Sequence, residues 1–202
     1  MDIHPSIVEA IDNAARILSD AGYIIEQVDT PSVRELAERW KAMTFYEVSL
    51  FMDQAIRRHG SADIQQIFDN YYEMAETLDA NQFIRGLADR SRLAREWSLF
   101  LEQYPLVLSP FQLQPTMPVD LDLKGLQGCI DVFDNLIYSV SFNYLGLPAG
   151  IVSAGRDENG LPIGVQVIGQ RFREDLILDA TQSIESQIGI PAYWLWERRG
   201  EV

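Results

Sequence analysis

The stretch FNYLGLPAGIVSAGRDENGLPIGVQVIG, Phe142 to Gly169, decides how this chain folds. Ala149 to Ala154 and Ile163 to Gly169 are two short apolar runs, joined across Gly155–Pro162. Asp157-Glu158-Asn159-Gly160 is a turn signal, so the two runs are predicted to form an antiparallel hairpin. Val165 and Val167 alternate with Gln166 and Ile168, which divides them between the two faces of a strand. Gly146 and Gly150 permit backbone angles or close approaches that other residues resist. Pro148 leads a strand, where its missing N–H costs little. Gln166 is a polar side chain in an otherwise apolar strand. A hydrogen bond tying the hairpin to a neighbouring loop is its expected use.

Downstream of the hairpin, Glu174 to Gln187 reads as a helix stopped by Gly189 and Pro191, with Tyr193, Trp194 and Trp196 crowding the tail. Upstream, residues 129–140 read as one helix, with Ile130, Phe133, Ile137 and Val140 on one side. Residues 110–128 contain Pro110, Pro115, Pro118, Gly125 and Gly128 and read as a long loop, of the kind that is functional or mobile. Pro105 to Ser109 is a short uninterrupted apolar run, suited to a strand covered on both faces. Residues 32–103 read as almost wholly helical, with Ser32 and Glu35 as a capping box and breaks at His59-Gly60 and Asp79-Ala80-Asn81. Phe68, Tyr71 and Tyr72 give the middle helix an aromatic face that reads as packed core. Residues 5–21 form an amphipathic helix, with Ile7, Ile11, Ala14 and Leu18 at helical spacing and Gly22 as its stop. Tyr23 to Val28 then reads as a short strand, ended by Thr30-Pro31 and without a partner nearby.

These elements, about four strands and about six helices, predict an α/β fold with a mixed sheet flanked by helices. A single domain over residues 1–202 fits the chain length. A sheet so small leaves at least one edge open, a template for another chain or for a missing segment.

Composition narrows the function. The net charge of −14 repels phosphate backbones, which argues against nucleic-acid binding. Arg85, Arg92 and Arg95 share a helical face, but Asp89, Glu96 and Glu102 intersperse them, so the face reads as solvated and paired. No run approaches the roughly 20 apolar residues of a membrane-spanning helix. The N-terminus lacks a secretory pattern, and Cys129 is the only cysteine, so a reducing cytoplasm is the expected location.

The chain offers little chemistry of its own. Lys41 and Lys124 are the only lysines and read as surface residues. His4 and His59 lie at a helix start and a helix end, away from any serine and carboxylate pair. Two histidines and one cysteine without close spacing argue against a zinc site. Asp120, Asp122, Asp131 and Asp134 cluster in sequence, but nothing completes a cation-binding loop.

Three stretches in order resemble the amidase signature family: His4–Asp29, YPLVLSP at Tyr104–Pro110, and NYLGLPAG with GLPIGVQVIG at Asn143–Gly150 and Gly160–Gly169. Together they span nearly the whole chain. The resemblance implies an α/β/α fold, incomplete here, and amide C–N hydrolysis through an acyl-serine intermediate without metal or organic cofactor. In that family a lysine and two serines around a Gly/Ser-rich run, in the N-terminal half, carry the chemistry. No Ser-Ser pair occurs in these 202 residues. The expected reading is therefore the C-terminal half of an amidase-type hydrolase, inactive alone, with no catalytic residue of its own. It would contribute scaffold and a wall of the substrate channel. Its expected partners are the missing N-terminal half or a second copy, and a small amide in the complete enzyme. The alternative is a non-catalytic subunit or interaction module that pairs with a separately encoded N-terminal half. The resemblance points to Phe111, Gln112, Gln114, Asn143 and Tyr144 for substrate contact. Leu136-Ile137-Tyr138 occupies the region where members acting on glutaminyl groups carry acidic recognition, which leans towards a less polar amide.

Overall fold

The computed structural model describes residues 2–199, and the chain divides into two compact units. The first comprises the described parts of Met1–Thr30, Leu99–Thr116 and Gly146–Val202. Helix α1 (Pro5–Asp20) opens it, capped by His4, whose Nδ1 accepts from the Ser6 N–H, with Pro5 in the first turn. Ile7, Ala10, Ala14, Ile17 and Leu18 recur at helical spacing and are all buried. The helix ends in a Schellman motif: Gly22 has φ 99°, the Gly22 N–H reaches Ser19 O and the Tyr23 N–H reaches Leu18 O at 3.0 Å each.

Strands β1 (Leu106–Pro110), β2 (Ala149–Arg156) and β3 (Pro162–Gly169) form one antiparallel sheet in the order β1-β3-β2. The β2–β3 hairpin forms as its turn residues predict. The Asp157 carboxylate accepts from the N–H groups of Asn159 (2.9 Å) and Leu161 (2.8 Å), and Gly160 takes φ 78°. Helix α1 and helix α8 (Glu174–Ile188) cover one face of the sheet. Val152, Ala154, Ile163, Val165 and Val167 meet Ile7, Ala14, Ile177 and Ile184 in that core. Each buried Val or Ile there contributes about 1.5–3 kcal/mol. Gly150 lets α8 lie directly on β2, since a Cβ at this position would sit 2.7 Å from Ile177 Cγ2. Pro191, read as part of the stop of α8, opens a further helix, α9 (Pro191–Arg199).

Residues 23–28 do not form the expected strand. The chain runs from Tyr23 to Thr30 without a turn, a bend or a paired neighbour. A strand exists only by pairing, and no strand among the described residues is offered to this segment. Tyr23 instead donates its hydroxyl to Asp179.

The second unit, Pro31–Ser98 with Met117–Leu145, is helical. It holds α2 (Val33–Phe51), α3 (Asp53–His59), α4 (Ala62–Met74), most of α5 (Ala80–Gln103), α6 (Gly125–Asn135) and α7 (Ile137–Leu145). Ser32 caps α2 by accepting from the Glu35 N–H at 3.1 Å. The single helix expected over 129–140 is two, broken at Leu136, and α6 starts four residues earlier than expected, which shortens the loop before it. The aromatic face of α4 is core as read. Tyr71 packs against Phe45 (5.0 Å between centroids) and Phe133 (5.2 Å), and burial pushes its phenol up to about 12. Arg92 is paired as expected, with Asp89, Glu96 and Glu35 at 2.7–2.8 Å.

Candidate functional site

The sheet has one apolar face, already covered, and one with polar positions. Register places Ser109 of β1 opposite Gln166 of β3, and Gln166 opposite Ile151 of β2. Strand alternation puts Ser153 on the same face, opposite Gly164. Ser109 and Gln166 are 5% and 3% exposed, rare burial for polar side chains. The Ser109 hydroxyl donates to Pro110 O at 3.2 Å. Gln166 Nε2 and Ser153 Oγ are buried without a hydrogen-bond partner among the described residues. The loop tie expected of Gln166 is therefore not made. Ile151, between the two, is more than half exposed.

The loop that leaves β1 carries three of the expected substrate-contact residues. Phe111 and Gln112 are half-buried. Leu113 is buried, and its carbonyl accepts from the His4 N–H at 2.8 Å. Gln114 Nε2 donates to Asp2 O at 2.6 Å, which joins the loop to the start of the chain. Asn143 and Tyr144 lie in α7 and belong to the second unit. Asn143 is exposed, whereas Tyr144 is buried. The Tyr144 hydroxyl donates to Gly86 O at 3.2 Å, and its carbonyl accepts from Arg90 Nε at 2.5 Å. Burial raises its phenol pKa. The polar groups of Tyr144 are thus engaged with α5. Leu136, Ile137 and Tyr138 form the α6–α7 junction and are half-buried.

Lys41 is half-buried within α2, and Lys124 is exposed ahead of α6. The His4 ring is occupied at the α1 cap, with Nδ1 2.8 Å from Ser6 Oγ. His59 ends α3 in the open. The Cys129 thiol is buried, donates to Asp122 O at 3.3 Å and has its pKa pushed up by burial, as an inert packed cysteine should. No group of three His, Cys, Asp or Glu side chains able to hold a metal ion occurs among the described residues. A cleft of about 580 Å³ between α1 and α8 includes Ser183 and Ser186 but no lysine or histidine. A second cleft, of about 610 Å³ in the helical unit, is lined by Glu35, Arg39, Asp89 and Arg92 and has no serine. A nucleophile needs its activating base within hydrogen-bond reach; the Ser183 and Ser186 hydroxyls instead donate to backbone carbonyls of their own helix, Asp179 O at 3.0 Å and Gln182 O at 2.7 Å. No described helix is long and apolar enough to cross a membrane.

Comparison with known proteins accounts for this profile. The family model described as Amidase matches residues 1–178. The indoleacetamide hydrolase of Bradyrhizobium diazoefficiens is 34% identical over 98% of this chain, which covers 38% of that protein. A glutamyl-tRNA(Gln) amidotransferase subunit of Lachnospira eligens is 26% identical over 93% of the chain and 43% of its own length. Among solved structures, 6-aminohexanoate cyclic dimer hydrolase superposes with a TM-score of 0.76 at 21% identity, covering 94% of this chain and 43% of that one. A bacterial aryl acylamidase of the amidase signature family gives a TM-score of 0.69 at 19% identity, over 96% of this chain and 42% of that one. The chain thus spans about two fifths of the length of the relatives it matches. Its helix-rich α/β fold with a small antiparallel sheet is that of part of these enzymes, and the chain belongs to the amidase signature family.

Proposed function

We propose that these 202 residues are the C-terminal portion of an amidase that hydrolyses an amide of an apolar acid through an acyl-serine intermediate. The lysine and the two serines of that chemistry belong to polypeptide outside this sequence. The present residues supply the scaffold and one wall of the substrate channel. One observation carries this reading: 98% of the chain aligns with 38% of an indoleacetamide hydrolase, yet no Ser-Ser pair occurs in it. That neither cleft is lined by a lysine agrees with it.

The preference for an apolar acid rests on two points. Leu136, Ile137 and Tyr138 offer no carboxylate, and two relatives, 34% and 33% identical, are named for indoleacetamide. In this reading Phe111, Gln112 and Gln114 are substrate-contact residues carried by the first unit, and Asn143 is one carried by the second. Tyr144 contributes by holding α7 to α5. If the N-terminal half is encoded separately, the same chain is its non-catalytic partner subunit. The test is ammonia release from indoleacetamide. The purified chain should release none, and the chain joined to the remaining part of an amidase should release it. Turnover by the purified chain alone would end this proposal.

A further inference from the structure

The cleft of the helical unit, about 610 Å³ in volume, carries charges that do not cancel among themselves. It lies between α2, α5 and the connection from α4 into α5. Its floor is apolar. Ala42 and Met43 are 3% and 7% exposed, Gly86 is buried, and Leu78 is half-buried. A Cβ at Gly86 would sit 2.4 Å from Met43 Sδ, so only glycine lets α5 approach that side chain here. The walls are tied together. Arg92 of α5 reaches Glu35 of α2 at 2.8 Å and also holds Asp89 and Glu96 at 2.7 Å. Asp79 and Gln82 cap α5 reciprocally, at 2.7 and 2.8 Å, which fixes the connection that carries Glu76 and Leu78. Asp89, the usual helical partner for Arg85 one turn away, is already held by Arg92 and by Arg39 Nε at 3.5 Å. The terminal nitrogens of Arg39, the Arg85 guanidinium and the Glu76 carboxylate are left without a partner among the described residues.

We propose that this cleft binds a free apolar α-amino acid. The ligand carboxylate accepts from Arg39 and Arg85, its ammonium donates to Glu76, and its side chain lies on Met43, Ala42 and Leu78. A zwitterion with an apolar body uses every group that the ion pairs leave over. A carboxylic acid without the amine brings a second anion beside Glu76, and an amine without the acid brings a third cation to two arginines. Neither half alone suits the site. The inference stands apart from the proposed hydrolase function, because all of these residues belong to the second unit and no amide is turned over there.

Calorimetric titration of the purified chain with L-phenylalanine, phenylacetate and phenethylamine compares the zwitterion with its two halves on one side chain. L-Phenylalanine should bind at least about tenfold more tightly than either, as expected for one hydrogen bond to a charged group. Arg85→Ala and Glu76→Gln alter groups that have no partner in the fold, so both variants should keep the parent melting temperature. Arg85→Ala should weaken L-phenylalanine at least about tenfold, and Glu76→Gln should bring it down to the level of phenylacetate. Amide NMR shifts on adding L-phenylalanine should centre on Gly86 and the residues around it. Phenylacetate binding as tightly as L-phenylalanine would reduce the cleft to an anion site and end the proposal. Absence of saturable L-phenylalanine binding, full affinity in Arg85→Ala, or shifts confined to the first unit would overturn it equally.

Discussion

Gly150→Ala is expected to destabilise this protein, although the same change in an open strand would stabilise it. With room for the methyl group, replacing a strand glycine by alanine gains about 0.5–1 kcal/mol through the unfolded chain. Here the new Cβ would lie 2.7 Å from Ile177 Cγ2 and 3.0 Å from Thr181 Cγ2. Contacts that short force α8 away from β2 or twist Ile177 off its rotamer, an overpacking cost of about 1–3 kcal/mol. Ile177→Ala alone leaves a cavity at a side chain 3% exposed and costs about 2–5 kcal/mol. In the double variant the added methyl enters the space that Ile177 vacated. The two changes should therefore be less damaging together than their sum by about 1 kcal/mol or more. Urea unfolding of the four proteins, followed by circular dichroism, measures this coupling directly. A Gly150→Ala protein more stable than the parent, or costs that add within about 0.5 kcal/mol, would refute the packing of α8 on β2.

Three further outcomes are expected. Trp97 is fully buried and meets Phe142 edge-on at 4.9 Å, so Trp97→Ala should cost about 3–5 kcal/mol in urea unfolding, and an effect below about 1 kcal/mol would contradict its place in the helical core. Gln166→Leu deletes a buried amide whose Nε2 has no partner, so the melting temperature should hold or rise; a loss above about 1 kcal/mol would mean that the amide is bonded after all. The Tyr23 and Tyr71 phenols are both pushed up to about 12 from 10, each chiefly by burial, with Asp179 adding to the effect at Tyr23. A raised phenol pKa means that the fold favours the protonated form. The stability it brings is whole below about pH 10 and is lost as pH rises through about 12. Phenolate absorbance and unfolding free energy between about pH 9 and 12.5 should show this, and native titration of both groups near 10 would contradict it.

Much of the fold could be read locally. The hairpin was legible because Asp157 to Gly160 carries its own turn chemistry, with the Asp157 carboxylate bonding two N–H groups within the loop. The first helix was legible because its apolar spacing and the Gly22 stop are properties of the segment itself. What failed depends on partners or on features without a sequence mark. Tyr23 to Val28 has strand composition, but a ladder needs a second strand, which composition does not report. The break at Leu136 falls at a residue that is neither glycine nor proline, so periodicity alone carried the helix through it. Of the expected contact residues, Phe111, Gln112 and Gln114 fall on one loop of the first unit, and Asn143 and Tyr144 on one helix of the second. The engagement of Tyr144 with Gly86 and Arg90 joins positions more than fifty residues apart and leaves no local trace. Gln166 was visible as a polar residue in an apolar strand, while its lack of a partner is a fact of packing only.

The central claim is that these residues frame an amidase reaction without performing it. A fluorophosphonate reagent, which modifies an activated serine and spares ordinary ones, tests this most directly when the product is read by mass spectrometry. The chain alone should emerge with unchanged mass. The chain assembled with the remaining part of an amidase should give one adduct, located on the added polypeptide. An adduct mapped to a serine within these 202 residues would contradict the account.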